Sequence, residues 1–167
     1  MKRRMPREPE IRFHHIGIVV KNISEAIDKY ATALGIDGDE IKVEQMSYVS
    51  GKGEFEEFKY AFLPLAKGEN NFIELVEPTT PGPTSRYLEK HGEGLFHLAF
   101  ESSDISETIK KFEETGIPLA GTTPTEETLS VFFNPKSAHG VLVQVIKKGI
   151  FDGSGRVNAK MVENEGS

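Results

Sequence analysis

The chain uses one stretch of sequence twice, and this internal repeat limits the folds that it can adopt. His15-Ile16-Gly17-Ile18-Val19 returns 82 residues later as His97-Leu98-Ala99-Phe100-Glu101, and both copies continue without a gap into an Ile-Ser-Glu-x-Ile motif. Farther along, the segment 72–76 is answered by the segment 142–146. Each half therefore places one histidine at the start of its first apolar run and one polar residue, Glu74 or Gln144, within its last.

Both halves show the same order of predicted elements. Short runs rich in Val, Ile and Phe predict strands, and apolar residues at helical spacing after a polar cap predict a helix. The predicted strands are 13–20, 41–50, 58–63 and 71–77 in the first half, with a hairpin turn at 67–70, and 95–101, 119–122, 129–133 and 141–147 in the second. The predicted helices are 24–34 and 105–115, and a short helix from Thr84 or Ser85 follows the proline-rich linker.

Two βαβββ modules of this size each leave one face of a small sheet uncovered. Placed side by side, they bury both inner faces in one cupped, barrel-like mixed sheet with helices outside, which is an α+β fold. The expected organisation is an N-terminal arm (1–12), one domain (13–148) and a loose C-terminal tail (149–167). Within the domain, module one spans 13–78, the linker and short helix 79–94, and module two 95–148.

Composition narrows the classes of partner and compartment. A net charge of −6 argues against nucleic acid, because neutralising phosphates needs a basic surface. The chain has no cysteine, which fits a reducing compartment, and no apolar run reaches the roughly 18–20 residues that cross a bilayer. The sequence therefore predicts a cytoplasmic protein without a membrane partner.

Alternation along the strands predicts which side chains meet. His15 shares a face with Gly17, and His97 shares a face with Ala99, whereas His14 is expected to point away from His15 toward the helices. Glu74 and Gln144 can point into the same cavity as the two histidines. Two imidazoles, a carboxylate and an amide oxygen suit a divalent first-row metal ion such as Co²⁺, Ni²⁺, Mn²⁺, Fe²⁺ or Zn²⁺. Taken singly, each residue could instead be an ordinary polar strand residue.

Four motifs carry a resemblance to a known family. The sequences His-Ile-Gly-Ile-Val-Val, Phe-Ile-Glu-Leu-Val-Glu-Pro, Glu-Gly-Leu-Phe-His-Leu-Ala-Phe and Asn-Pro-Lys-Ser-x-x-Gly-Val-Leu-Val-Gln-Val resemble the vicinal-oxygen-chelate superfamily. Within it, the chain looks most like methylmalonyl-CoA epimerases, with glyoxalase I a near relative. The resemblance implies a homodimer, a small-molecule substrate of the acyl-CoA class, and metal ligands at His15, Glu74, His97 and Gln144.

One departure from the family pattern affects the expected chemistry. In the epimerases and glyoxalases the last-strand ligand is usually a glutamate that also removes the proton next to the carbonyl. Gln144 can offer an oxygen to a metal but cannot accept a proton near neutral pH. Glu74 then becomes the best candidate base, with Glu101 a weaker one.

Three functions remain open from the sequence. The first is an epimerase-like isomerase acting on methylmalonyl-CoA or a similar acyl-CoA. The second is glyoxalase-I-like lyase chemistry on a thiol hemiacetal. The third is a metal- or ligand-binding relative that has lost its base.

Overall fold

The computed structural model describes residues 8–50, 52–66, 71–121, 124–125 and 128–158. The first module has the predicted βαβββ order, and each element lies within a few residues of its predicted position. The predicted hairpin turn at 67–70 lies outside the described residues. The elements are β1 (Ile11–Val19), α1 (Ile23–Leu34), β2 (Glu44–Val49), β3 (Phe55–Pro64) and β4 (Phe72–Pro78).

The second module repeats this order except that, among the described residues, only two strands, not three, follow its helix. Where a strand was predicted at 119–122, the described residues form a single bridge between Leu119 and Phe133, and residues 122–123 lie outside the described range. The prediction was therefore wrong about a full strand at this position. The linker forms helix α2 (Pro83–His91). The elements of module two are β5 (Gly94–Ser102), α3 (Ile105–Glu114), β6 (Ser130–Phe133) and β7 (Val143–Lys147).

Local chemistry explains where the two long helices begin. The Asn22 side chain accepts a hydrogen bond from the backbone N–H of Glu25, and the Asp104 side chain accepts one from Glu107. Both are N-caps, which satisfy amide groups that a helix leaves free in its first turn. The repeat therefore preserves the helix start as well as the strand.

All seven strands form one curled sheet in the order β2-β3-β4-β1-β5-β7-β6. The sheet is mixed: β1 runs parallel to β4, β5 runs parallel to β7, and the central pair β1–β5 is antiparallel. The two modules therefore meet at their first strands. This confirms the predicted α+β fold, in which one cupped sheet carries the helices on its outer face.

The two faces of the sheet differ as the strand alternation predicts. On the outer face, Ile23 and Ile27 of α1 pack against Ala61, Leu63 and Leu75 of the sheet. The corresponding cluster in module two joins Ile109 of α3 to Val131, Phe133 and Val145. The inner face is left to line a cavity. Among the described residues, no helix is long and apolar enough to cross a membrane.

The segment after β7 is not loose in its described part, so that expectation was wrong for residues 149–158. Ile150 is 6% exposed, and Phe151 and Val157 pack against the aromatic cluster of Tyr60, Phe62 and Phe72. We call residues 149–158 the C-terminal strap, because they cross from the last strand of module two to the inner face of module one.

The orientation of His14 also differs from the prediction. The pairing between β1 and β5 shifts register between Phe13 and His15, which marks a β-bulge or similar irregularity. An extra residue in one strand breaks the simple alternation of side chains. His14 therefore lies beside His15 instead of packing toward the helices, with its ring centroid 5.2 Å from that of Phe72.

Candidate metal centre and cavity

Three of the four predicted ligands converge at the seam between the modules. His15 lies on β1, Glu74 on β4 and His97 on β5. The two Nε2 atoms are 2.9 Å apart, and Glu74 Oε2 lies 3.2 Å from His15 Nε2 and 3.1 Å from His97 Nε2. The three potential ligand atoms thus form a nearly equilateral triangle, and all three residues are buried.

The size of this triangle fits a shared divalent cation. Ligand atoms at bond lengths of about 2.1 Å and angles near 90° are separated by about 3 Å. The donor set of two imidazole nitrogens and one carboxylate oxygen is typical of first-row divalent metals. The residues therefore form a possible metal site.

The close approach of the two imidazoles also holds Glu74 in its charged form. Burial raises the pKa of Glu74, but the neighbouring His15 and His97 imidazoles outweigh it and bring that pKa below its usual range. Burial lowers the pKa of His15, while Glu74 and Gln144 act in the opposite direction. A carboxylate beside an imidazole whose pKa is lowered presents lone pairs to a cation, as a ligand site requires.

Gln144, the fourth predicted ligand, lines the same cavity with one oxygen unsatisfied. Its Nε2 donates a hydrogen bond to Ser130 Oγ at 2.9 Å. Its Oε1 is buried and has no hydrogen-bond partner among the residues that the structure describes. A buried amide oxygen without a partner is costly, so this atom is a natural place for a cation or a substrate donor. Its role as a ligand remains a prediction.

The triangle opens into a cavity of about 620 Å³ on the inner face of the sheet. Gln144 lines this cavity with its strand neighbours Leu142 and Ile146, as alternation along the strand predicts. Among the described lining residues none is Lys or Arg. The walls are mostly apolar and include Met46, Phe58, Phe96, Phe132 and Ile146.

A second buried acid, Glu56, lines the cavity and was not predicted from the sequence. Glu56 is 3% exposed and accepts hydrogen bonds from the backbone N–H and the hydroxyl of Thr84, each at 2.9 Å. It therefore ties β3 to the first turn of α2. Period-two alternation with Phe58 and Tyr60 was the signal that could have placed Glu56 on the inner face.

Glu101, the weaker candidate base, is buried at 7% exposure but is not among the residues that line this cavity. Phe151 and Ile150 of the C-terminal strap do line it, although they lie in the segment predicted to be a loose tail.

Comparisons with known proteins agree with this architecture. Residues 14–133 match the model of the Glyoxalase/Bleomycin resistance protein/Dioxygenase superfamily. The chain is 30% identical over 140 residues to the uncharacterized protein YqjC of Bacillus subtilis, covering 80% of this chain and 90% of that one. It is 28% identical over 142 residues to the mitochondrial methylmalonyl-CoA epimerase of Dictyostelium discoideum, covering 82% of this chain and 78% of that one.

Among solved structures, the methylmalonyl-CoA epimerase of Mycobacterium tuberculosis superposes with a TM-score of 0.61 at 25% identity, covering 81% of this chain and 86% of that one. The match to the family model includes His15 and His97 and extends over more than half of the chain. The chain belongs to the Glyoxalase/Bleomycin resistance protein/Dioxygenase superfamily.

Proposed function

We propose that this protein is a metal-dependent isomerase that moves a proton at the carbon next to a carbonyl group. The substrate class is an acyl-CoA, with methylmalonyl-CoA as the first compound to test. The observation that carries the proposal is the convergence of His15, Glu74 and His97 to within 3.2 Å of one another at the wall of a cavity. Relatives named as methylmalonyl-CoA epimerases support the choice of substrate.

His15, Glu74 and His97 would hold the cation, and Gln144 would add its free amide oxygen. The metal would be Co²⁺, Ni²⁺, Mn²⁺, Fe²⁺ or Zn²⁺, since each accepts mixed nitrogen and oxygen ligands. When bound, such an ion acts as a Lewis acid that polarises a carbonyl group and lowers the cost of negative charge on its oxygen.

Glu74 is the group that we assign to accept the substrate proton. Its carboxylate lines the cavity and is held in the deprotonated form by the adjacent imidazoles. A carboxylate with a lowered pKa is a weak base, so the carbonyl must be polarised before proton transfer becomes favourable. Gln144 cannot share this role, because an amide has no proton-accepting form near neutral pH.

One acid at the centre supports proton exchange more directly than inversion, which needs a proton donor on the opposite face of the carbon. Glu56 does not supply that donor. Glu56 lies six residues before Phe62 on β3, and Phe62 pairs with Glu74 on β4. About 20 Å of strand therefore separates Glu56 from the position on β3 that faces Glu74. Exchange of the substrate proton with solvent is therefore the step to measure first.

The test is deuterium incorporation into methylmalonyl-CoA in D₂O, followed by mass spectrometry. The purified protein is first stripped of metal and then reloaded with each of the five ions in turn. We expect metal-dependent incorporation that falls at least about 100-fold in Glu74→Gln at saturating metal. His91→Gln is the matched control, because His91 is exposed and does not line the cavity. Equal rates in Glu74→Gln and the wild type would remove Glu74 from the proposal.

A second function is favoured by one observation, the amide at position 144. The protein would then bind its ligand without turning it over, having exchanged a base for Gln144. The variant Gln144→Glu separates the two functions. If the wild type does not exchange the substrate proton and Gln144→Glu does, the result supports a binding protein. Turnover of methylglyoxal with a thiol would instead indicate glyoxalase-like chemistry.

We also propose that the protein acts as a homodimer. The support is its family resemblance, and light scattering after size-exclusion chromatography tests it. A mass near 18.5 kDa, that of one chain, would contradict the dimer.

A further inference from the structure

His14 is fully buried on β1, directly beside the candidate ligand His15. The register shift after Phe13 turns it toward the inner face, where three aromatic rings surround it. The centroid of its ring lies 5.2 Å from that of Phe72, 5.5 Å from that of Phe151 and 5.8 Å from that of Phe62. Phe151 belongs to the C-terminal strap, so β1 and the strap meet at His14.

The two neighbouring imidazoles are joined by a hydrogen bond between their Nδ1 atoms, which are 2.8 Å apart. Such a bond contains one proton, so one ring donates and the other accepts. The other nitrogen of His15, Nε2, faces Glu74 and His97. If Nε2 uses its lone pair to bind a cation, the neutral His15 ring must carry its proton on Nδ1.

We propose that His14 is a positioning residue for the metal centre: it accepts the Nδ1–H of His15 and thereby fixes both the tautomer and the orientation of that ring. This inference rests on the metal site of the proposed function. His14 Nδ1 then acts as the outer partner of a ligand histidine, a role more often filled by a carboxylate or a backbone carbonyl.

The aromatic enclosure makes this partner hard to replace. His14 is 0% exposed and His15 is 1% exposed, so water has little access to the bond between them. His14 Nε2 has no hydrogen-bond partner within the described ranges of the chain. If His14 is replaced by a residue without an acceptor, the Nδ1–H of His15 loses its partner. Because water has little access to it, this N–H stays buried and unpaired.

The internal repeat provides a natural comparison. The position before the second ligand histidine is Phe96, whose ring centroid lies 5.3 Å from that of His97. His97 Nδ1 has no hydrogen-bond partner among the described residues. Module two thus shows an aromatic ring without an acceptor at the position where module one has His14, so only one of the two ligand histidines has this partner.

This asymmetry suggests two matched variants. His14→Phe copies the arrangement of module two, keeping a ring of similar size but removing the acceptor. His14→Asn removes the ring but keeps an acceptor, because Asn Oδ1 is the same number of bonds from the backbone as His Nδ1. A packing role predicts that Asn is the more harmful change, whereas a positioning role predicts that Phe is.

The experiment measures Zn²⁺ affinity by competition with a chromophoric chelator, with no substrate present. We expect His14→Phe to weaken Zn²⁺ binding by about 10–100-fold and His14→Asn to remain within about 3-fold of the wild type. Urea denaturation of the metal-free variants shows whether each is folded. In the Zn²⁺-loaded wild type, ¹⁵N NMR should show a hydrogen-bonded proton on His15 Nδ1, and this signal should disappear in His14→Phe.

Different results would overturn different claims. If the wild type binds Zn²⁺ and folded His14→Phe binds it equally well, His14 only fills space and the inference is wrong, while the metal site stands. A proton on Nε2 of His15 in the loaded wild type would overturn both the inference and the assignment of His15 as a ligand, because a protonated Nε2 cannot bind a cation. If the wild type binds no divalent metal, the proposed function fails and this inference fails with it.

Discussion

At the scale of single residues, Gly17 shows how closely the two modules approach. It pairs with His97 across the β1–β5 seam. A Cβ atom added at Gly17 would lie 2.2 Å from Cε1 of His97, closer than two such atoms can approach. Glycine is therefore needed here for space, because the imidazole ring occupies the position of the missing side chain.

Gly17→Ala is predicted to displace His97 from the triangle. We expect the free energy of unfolding to fall by about 1–3 kcal/mol because of overpacking, and metal affinity to fall at least about tenfold. Denaturation and chelator competition measure the two effects. Gly38→Ala is the control, since an added Cβ would meet its nearest neighbour, Ala31 Cβ, at 3.7 Å. Unchanged affinity in Gly17→Ala would contradict the close packing of His97.

The buried imidazole of His14 predicts a pH dependence of stability in the metal-free protein. Burial and the adjacent His15 ring lower the pKa of His14 to about 4, whereas an unfolded chain has a histidine pKa of about 6.5. As the pH falls from about 6.5 toward 4, the unfolded chain takes up a proton that the folded protein does not. The free energy of unfolding therefore decreases by up to about 1.4 kcal/mol per pH unit from this group.

Urea denaturation at pH 7, 6 and 5 with a chelator present checks this prediction. In His14→Phe the decrease between pH 6 and 5 should be smaller by about one proton's contribution. His91→Phe is the control, because it makes the same replacement at an exposed histidine outside the aromatic enclosure of His14. Equal slopes in His14→Phe and the wild type would contradict the assignment.

At the scale of elements, the C-terminal strap contributes to the first module although it follows the second in the chain. Phe151 packs against Phe62 with ring centroids 4.9 Å apart, and the strap is closed by a bridge between Phe151 and Val157. Gly155 lies so close to Phe62 that an added Cβ would be 2.4 Å from Cβ of Phe62. The strap is therefore part of the core of module one.

Phe151→Ala is predicted to lower the free energy of unfolding by about 2 kcal/mol, less than for a fully buried phenylalanine because Phe151 is half-buried. Chemical denaturation measures the change. Phe55→Ala is the matched control, because Phe55 is 56% exposed and its truncation should cost no more than about 0.5 kcal/mol. Equal losses in the two variants would mean that the strap is not part of the core.

The elements also show which parts of the fold sequence reasoning can reach. The internal repeat predicted the two modules. The period-two pattern of the strands, which places Glu74 and Val76 on one face, predicted the face that lines the cavity. The bulge before His15 was not predictable in this way, since one extra residue leaves no mark on the pattern of apolar residues. The strap was missed because its few apolar residues, including Ile150 and Phe151, are too sparse to signal an element.

At the scale of the whole molecule, the candidate ligands are divided between the modules. His15 and Glu74 come from module one, and His97 and Gln144 come from module two. A bound cation would therefore link the halves across the antiparallel seam. That three of these residues converge could be expected from the repeat, whereas their distances depend on the curl of the sheet, which no local pattern specifies.

Metal binding is predicted to stabilise the whole fold. With free Zn²⁺ at about 100 times its dissociation constant, the free energy of unfolding should rise by about 2.7 kcal/mol. Thermal unfolding with Zn²⁺ and then with excess chelator measures this, and the chelator should reverse it. His97→Ala should lose most of the effect, and His139→Ala should keep it, because His139 is exposed. An equal rise in His97→Ala would place the ion elsewhere.

The position of the strap after β7 means that Phe151 is synthesised later than the residues it packs against in module one. Every strand and helix among the described residues precedes Phe151 in the chain, yet this ring packs against His14 beside the candidate ligand His15. Until Phe151 is synthesised, the first module lacks one of the three rings that enclose His14. A chain truncated before residue 151 would keep Phe62 and Phe72 but lack the third ring of this enclosure, so we expect its two imidazoles to be more accessible to water than those of the full chain.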